Sequence, residues 1–260
     1  VRFEGLVALV TGGGSGIGRA TSLAFAAQGA AVAVFDINEE SAQATVSDIK
    51  ATGGQSLAFT GTIASKHDVE TFVETAFETF GRIDFLFNNA GEEFIAPALE
   101  TTEEDWDRVI DTNLKGTFLM AQAVLNKMMW QKSGVIINNA SDAGLRGIKL
   151  NAAYSTSKAG IIHFTRSLAL DYAPFGIRTN CICPGCIRTP LCERFNAEVG
   201  ARKGKTGEEV LEEFVRENIP MLRVGEAEEV ASLVTFLCSD DARYINGAII
   251  PIDGGLTAGM

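Results

Sequence analysis

Apolar residues arrive along this chain in two rhythms. Short unbroken runs, Leu6-Val7-Ala8-Leu9-Val10, Ala31-Val32-Ala33-Val34-Phe35 and Ile177–Ile182, suit strands buried on both faces. Further strands are expected near Ser56–Thr60 and at Ile83–Phe87, Val135–Ile137 and Ala248–Ile252. Between them run longer helical patterns: Arg19–Gln28, a helix through Lys50, one ending at Phe80, and one from Thr102 through Asn113 to about Met129. Two more helices are expected, one carrying Tyr154 to about Ala173 and one over Glu226–Cys238. Strands alternate with helices throughout, which predicts a doubly wound parallel α/β sheet of about seven strands with helices on both faces. No linker, repeat or low-complexity segment interrupts it, so one domain is expected over 1–260.

Ser65-Lys66-His67-Asp68 resembles a capping box, and Thr102-Glu103-Glu104-Asp105 has the same form. His67, in a first helical turn, is expected to be solvated and not a ligand. Residues Leu191 to Ile219 break the rhythm: they are charged, carry Arg202-Lys203-Gly204-Lys205 at their middle, and become helical from Glu208. A long segment between the sixth strand and the next helix reads as a lid over a substrate site.

Composition narrows the class. The chain has 260 residues, 46% of them hydrophobic and 21% charged, ordinary for a globular protein with a full core. A formal net charge of −11 with no basic cluster standing out argues against a nucleic-acid partner. No apolar run reaches membrane-spanning length and the first residues lack a basic-then-apolar pattern, so no membrane association is expected. Five cysteines, an odd number, suit a reducing compartment, and a cytoplasmic protein is expected. Cys181, Cys183, Cys186 and Cys192 lie close together, but their spacing is not that of paired metal knuckles, and no metal is expected.

Candidate chemistry centres on Ala152-Ala153-Tyr154-Ser155-Thr156-Ser157-Lys158. On a helix, Tyr154 and Lys158 lie one above the other on one face. An ammonium beside a phenol favours the phenolate, which makes a general base. Alone, such a pair is more often an ordinary surface contact. Other motifs shift that balance. After the first strand comes Thr11-Gly12-Gly13-Gly14-Ser15-Gly16-Ile17-Gly18, a glycine turn entering a helix, the arrangement that aims backbone N–H groups at a pyrophosphate. The second strand ends in Asp36, placed to accept from an adenosine ribose and to repel a 2′-phosphate. Asp36 would otherwise be a turn or cap residue, with Asn38 as the competing helix cap.

The ordered set of Thr11–Gly18, Asp36, Asn88-Asn89-Ala90-Gly91, Asn113, Ser141, Tyr154 with Lys158, and Pro184-Gly185 resembles the short-chain dehydrogenase/reductase superfamily over almost the whole chain. Arg223–Val230 and the closing Ile252-Asp253-Gly254-Gly255 belong to the same likeness. The resemblance implies a Rossmann-like fold and a catalytic set of Asn113, Ser141, Tyr154 and Lys158. Ser141 would polarise the substrate oxygen and Tyr154 would exchange its proton. Lys158 would lower the tyrosine pKa and hold the nicotinamide ribose, and the Asn113 carbonyl would hold a water linking Lys158 to solvent. It implies NAD bound by Gly12, Ser15, Gly16, Ile17, Gly18, Asp36, Thr62, Ile63, Asn89, Ala90, Gly91, Tyr154, Lys158, Pro184, Gly185, Ile187 and Thr189. By family position, Glu93, Ala143, Asn151 and Cys186 would meet the substrate.

The chain departs from the family in two places. Thr62 stands where an aspartate is usual near the adenine; its hydroxyl can still accept, without the charge. Glu92-Glu93 replace a commonly apolar position, and either reach the substrate or point to solvent. The expected function is NAD-dependent interconversion of a secondary alcohol and its ketone, on a small neutral polar alcohol such as a sugar, polyol or cyclic diol. The competing readings are a 3-ketoacyl-thioester reductase and a non-catalytic NAD-binding regulator. Family members are commonly tetrameric, and Leu119, Met120, Val124, Ile161, Phe164 and Leu168 give two helices more than one apolar face, so a homotetramer is expected.

Overall fold

The chain runs β1 (Val7–Thr11), α1 (Gly16–Ala27), β2 (Ala31–Asp36), α2 (Glu39–Ala51), β3 (Ser56–Thr60), α3 (Lys66–Phe80), β4 (Phe85–Asn88), α4 (Glu103–Ile110), α5 (Gly116–Gln131), β5 (Gly134–Asn139), α6 (Ala152–Tyr172), β6 (Ile177–Pro184), α7 (Pro190–Lys203), α8 (Gly207–Asn218), α9 (Ala227–Cys238) and β7 (Ile249–Ile252). The computed structural model describes residues 2–259. All seven strands join one parallel sheet in the order β3-β2-β1-β4-β5-β6-β7. The winding direction reverses between β1 and β4, and such a reversal opens a crevice at the carboxyl ends of the strands.

Side chains alternate across each strand and so divide the core in two. Val10, Val32, Val34, Phe87 and Ile137 pack under Phe25 of α1, Val46 of α2 and Val230 of α9. On the opposite face Leu9, Leu86 and Ile136 meet Phe72 of α3, Met120 and Val124 of α5, and Leu168 of α6. Burying side chains of this size stabilises the fold by roughly 1.5–3 kcal/mol each. Among the described residues, no helix is long and apolar enough to cross a membrane.

Four boundaries differ from the sequence reading for identifiable reasons. Ile83 is buried, but its N–H donates to Gln131 Oε1 at 2.9 Å instead of a neighbouring strand, so β4 begins at Phe85. β6 runs two residues beyond Ile182: Pro184 stays in register with Ile252, and Gly185 N–H donates to the Ile252 carbonyl. The single helix expected from Thr102 to Met129 is interrupted at Asp111–Lys115 by a π turn, where Gly116 N–H reaches back to Asp111. The lid segment holds two helices, not one. Thr189 caps α7 by accepting from Cys192 N–H, and Thr206 with Glu209 forms a full capping box on α8.

Caps also free the residues that matter for the site. Asn38 caps α2 by accepting from Ser41 N–H, so Asp36 is not needed there. Ser65 caps α3, but Asp68 turns its carboxylate to Thr62 N–H at 3.0 Å, so the expected capping box is half formed.

Candidate active site

A cavity of about 1300 Å³ lies along the carboxyl ends of the strands and extends under α7 and α8. Its walls bring together nearly every residue singled out in the sequence: Gly12, Ser15, Gly16, Ile17, Asp36, Thr62, Ile63, Asn89, Ala90, Gly91, Glu93, Ser141, Ala143, Asn151, Tyr154, Lys158, Pro184, Gly185, Cys186, Ile187 and Thr189. Gly18 and Asn113 stand behind the wall instead. A Cβ on Gly18 would fall 2.0 Å from the Gly12 carbonyl oxygen, so this glycine lets the turn close on itself. Asn113 is fully buried; its Oδ1 accepts from Glu92 N–H at 2.8 Å, and its Nδ2 donates to the Glu92 carbonyl at 2.9 Å and to Ser157 Oγ at 3.0 Å. Its own carbonyl accepts from the Thr117 hydroxyl at 2.7 Å.

The glycine turn is tied to β4 by Thr11 and Asn89. Thr11 Oγ1 accepts from both Asn89 N–H and Ala90 N–H, and Asn89 Nδ2 donates to the Thr11 carbonyl. Gly16, at φ +48°, faces Thr189, whose Cγ2 lies 3.1 Å from where a Cβ would stand. Asp36 accepts from Gly14 N–H through Oδ2 and from Asn38 N–H through Oδ1, both at 2.9 Å. Those bonds hold the carboxylate at the end of β2, where it lines the cavity. Thr62 is held by Asp68 from the side; the acid absent from its own position thus approaches on α3, behind the wall.

Around Tyr154 the charges compete. Lys158 is buried, donates from Nζ to the Asn139 carbonyl at 2.8 Å, and lies 5.4 Å from the Tyr154 ring centre. Burial lowers Lys158 to about 8, against the opposing pull of Cys181, Cys183 and Glu93. Tyr154 departs from the expectation that Lys158 lowers it. Its phenol is pushed above the ordinary value, first by burial and then by the Glu93 carboxylate, while the Ser141 side chain acts in the opposite sense. In the chain alone, desolvation and a neighbouring acid govern the phenol, and burial weakens the lysine itself.

Ser141 Oγ accepts from Ala143 N–H at 3.1 Å and donates to Asp142 Oδ1 at 3.0 Å. Asp142 Oδ2 in turn takes both Nε and Nη2 of Arg146, at 3.1 and 2.9 Å. Glu93 and Glu92 part ways. Glu93 turns inward, takes a hydrogen bond from Asn151 Nδ2, and is pushed up to about 7, chiefly by burial. Glu92 pairs with Arg108 Nη1 at 3.0 Å.

Two groups of wall residues go beyond those the sequence motifs single out. Asp142 is buried, and its signals are its place beside Ser141 and its four-residue spacing to Arg146. Leu191, Phe195 and Val199 of α7, with Val210 and Phe214 of α8, also line the cavity. Their four-residue spacing lies inside a segment whose charge dominates its composition.

With this geometry in view, comparison with known proteins is decisive about ancestry. Residues 12–257 match the family model described as enoyl-(acyl carrier protein) reductase. The chain is 40% identical to levodione reductase of Leifsonia aquatica over 260 residues, covering 99% of this chain and 96% of that protein. The chain belongs to the short-chain dehydrogenase/reductase family. A crystal structure of levodione reductase superposes with a TM-score of 0.95 over 100% of both chains. Cyclohexanol dehydrogenase of Acinetobacter sp. strain SE19 is 41% identical, covering 99% of this chain and 97% of that one. A crystal structure of NAD+-bound xylitol dehydrogenase, 37% identical, matches with a TM-score of 0.93 over 98% of this chain and 100% of that one. This short-chain dehydrogenase/reductase therefore has relatives at about two-fifths identity along its full length, and its oxidoreductase class follows from them.

Proposed function

We propose that this chain is an NAD-dependent oxidoreductase that interconverts a secondary alcohol and its ketone, acting on a small neutral polar alcohol such as a sugar, polyol or cyclic diol. The observation that carries the reading is the convergence of Ser141, Tyr154 and Lys158 on one cavity whose wall also holds Gly12, Ser15, Gly16, Ile17 and Asp36.

The residues present suit a dinucleotide. The Gly12–Ile17 turn runs into the N-terminus of α1, where backbone N–H groups attract phosphate. A Cβ on Gly91 would stand 3.1 Å from Asn113 Oδ1 and 3.4 Å from Lys158 Nζ, so the bare backbone lets this stretch of wall pack closely on Asn113 and Lys158. Asp36 and Lys158 supply the acceptor and the cation that adenosine and nicotinamide ribose hydroxyls take. Asp36 favours NAD, because its carboxylate repels a 2′-phosphate. When bound, the cofactor accepts the hydride in oxidation and returns it in reduction.

The remaining steps fall to the chain's own side chains. Ser141 holds the substrate oxygen. Tyr154 takes its proton in oxidation and returns it in reduction, and the Lys158 cation favours the phenolate in that exchange. Asn113 acts at one remove, by fixing Glu92 and Ser157. The α7–α8 segment serves as the lid of a single catalytic domain.

Glu93, Asn151, Ala143 and Cys186 define the substrate end. Ala143 and Cys186 are small, and Glu93 and Asn151 present hydrogen-bonding groups that favour a substrate with a second polar group. Ionised Glu93 repels a carboxylate, and Arg146, in the cavity wall, is committed to Asp142. The names of two relatives, a cyclohexanol dehydrogenase and a xylitol dehydrogenase, agree with this class. A second reading, an acyl-thioester reductase, draws on the description of the matching family model and on Arg194 and Lys203 in the cavity wall. NAD-linked oxidation measured across matched polyols, cyclic diols, simple alcohols and hydroxy acids, with ketoacyl-thioester reduction beside them, decides between the two. Highest efficiency on hydroxy acids, unchanged in Glu93→Gln, or on thioesters, would sink the first. We also infer a cytoplasmic homotetramer, supported by the free cysteines and by exposed apolar side chains such as Phe118 in the groove beside α5 and α6.

A further inference from the structure

One pair of side chains on the cavity wall has chemistry that alcohol oxidation does not use. Cys186 follows the Pro184-Gly185 turn at the end of β6, and Cys192 sits in the first turn of α7. Both are half-buried, both reach the cavity, and their Sγ atoms are 3.4 Å apart. The pair is asymmetric. Cys192 Sγ also accepts from Asn196 Nδ2 at 3.3 Å, and its backbone N–H is fixed by Thr189 Oγ1 at 3.2 Å. It lies at the positive end of a 14-residue helix. The Cys186 contact first, and then the Asn196 donor, hold the Cys192 thiol below its ordinary value, whereas Cys186 is pushed above it by the same contact. A cysteine sulfur that accepts from an amide, at a helix N-terminus and with a second thiol 3.4 Å away, is the arrangement of an attacking and a resolving cysteine. The chain's other close pair, Cys181 and Cys183 on β6, is fully buried.

We propose that Cys186 and Cys192 form an oxidation site at which a hydroperoxide converts the two thiols into a reversible disulfide. The Cys192 thiolate attacks one peroxide oxygen. An S–O bond forms, the O–O bond breaks, and the departing oxygen leaves as water once protonated. Cys186 sulfur then attacks the resulting sulfenic acid. The S–S bond forms, the S–O bond breaks, and the Cys186 proton leaves with that oxygen as a second water. The two sulfurs lose two electrons and hydrogen peroxide gains them. A dithiol reductant reverses the change by exchange. The Sγ atoms close from 3.4 Å to about 2.05 Å by side-chain rotation. The bond fastens the first turn of α7 to the loop after β6, two walls of the same cavity.

The test needs no knowledge of the substrate. The folded, reduced chain is treated with equimolar hydrogen peroxide, alkylated, and cut with trypsin without reduction. Cleavage after Arg188 separates the two cysteines, so the expected product is peptide 179–188 joined to the Cys192 peptide and parted from it again by dithiothreitol, with fragmentation placing the bond on Cys186 and not on Cys181 or Cys183. In Cys186→Ser the reaction should stop at Cys192 sulfenic acid, trapped by dimedone. In Cys192→Ser peroxide consumption should slow by on the order of tenfold or more. The proposal falls if both cysteines of the unaltered protein remain alkylatable. It falls equally if Cys192 proceeds to sulfinic acid with no linked peptide, or if the linkage involves Cys181, Cys183 or Cys238. The peptide map of the unaltered chain decides the question even where a variant does not fold.

Discussion

Lys158 sits 5.4 Å from the centre of the Tyr154 ring while donating its hydrogen bond to the Asn139 carbonyl at 2.8 Å. The lysine ammonium thus spends its hydrogen bond on the backbone and meets the tyrosine at the ring. Removing the phenol hydroxyl leaves that geometry in place and removes only the proton carrier. Tyr154→Phe should lose roughly 10²–10⁴-fold in turnover while binding NADH as the unaltered protein does. Stopped turnover with unchanged nicotinamide fluorescence on titration is the expected pair of results. A Phe variant that keeps most of its activity would disprove the assignment.

Cofactor choice rests on Asp36. Its carboxylate is held by Gly14 and Asn38 N–H groups at the end of β2. Asp36→Ala should narrow the preference for NAD over NADP by on the order of tenfold, read as the ratio of kcat/KM with the two cofactors. Equal efficiencies in the unaltered protein would remove the role given to this residue.

Glu93 makes stability depend on pH in an unusual sense. Its pKa stands at about 7 in the folded chain against an ordinary 4.5. Between those values the folded state holds a proton that the unfolded state has released, so stability falls as pH rises through this window. Glu93→Gln removes that proton from the balance. The unaltered protein should lose roughly 5–10 °C more in Tm than the variant between the two ends of the window. Parallel Tm profiles would show that Glu93 ionises normally.

Much of the fold is legible in the sequence, because strands buried on both faces leave continuous apolar runs such as Leu6–Val10 and Ala31–Phe35. The spacing of Tyr154 to Lys158 carries the reactive pair in the same way. What the sequence hides is physically of another kind. Asp111–Lys115 has no composition that separates a π turn from a regular helix, and within it Asn113 bonds Glu92, which is distant in sequence. The Tyr154 phenol is governed by burial and by Glu93, and both belong to the folded environment alone. In α7, charge conceals the Leu191, Phe195 and Val199 stripe that faces a cavity instead of the core.

The α7–α8 segment should exchange its amide hydrogens faster than the strands in the absence of substrate. Only Asn196 and Gly200 of α7 and Val210 of α8 are fully buried, so little apolar surface opposes its opening. Arg202, which donates to the Ile95 carbonyl at 2.8 Å, marks where the segment is pinned. Protection equal to that of β1 would count against a lid.

Assembly is checked by light scattering. The groove bordered by Phe118, Leu119 and Met129 of α5 and by Phe164 and Leu168 of α6 should be covered in a homotetramer. A monomer at micromolar concentration would refute it. In a tetramer, Phe118→Asp, at a residue 41% exposed in the single chain, should shift the mass toward smaller species.

The two hydrogen bonds from Asn113 to Glu92 form a miniature of sheet pairing. One side-chain amide takes a peptide N–H and gives to the carbonyl of the same residue, as a neighbouring strand would. The backbone that leaves β4 thus keeps a partner for one residue beyond the sheet, just before Glu93 turns inward. Aspartate has no donor to repeat this and leucine has neither group, so an amide is the only function that serves at position 113. The extra residue in the π turn lets a helix supply, sideways, the peptide-like edge that the sheet has ceased to provide.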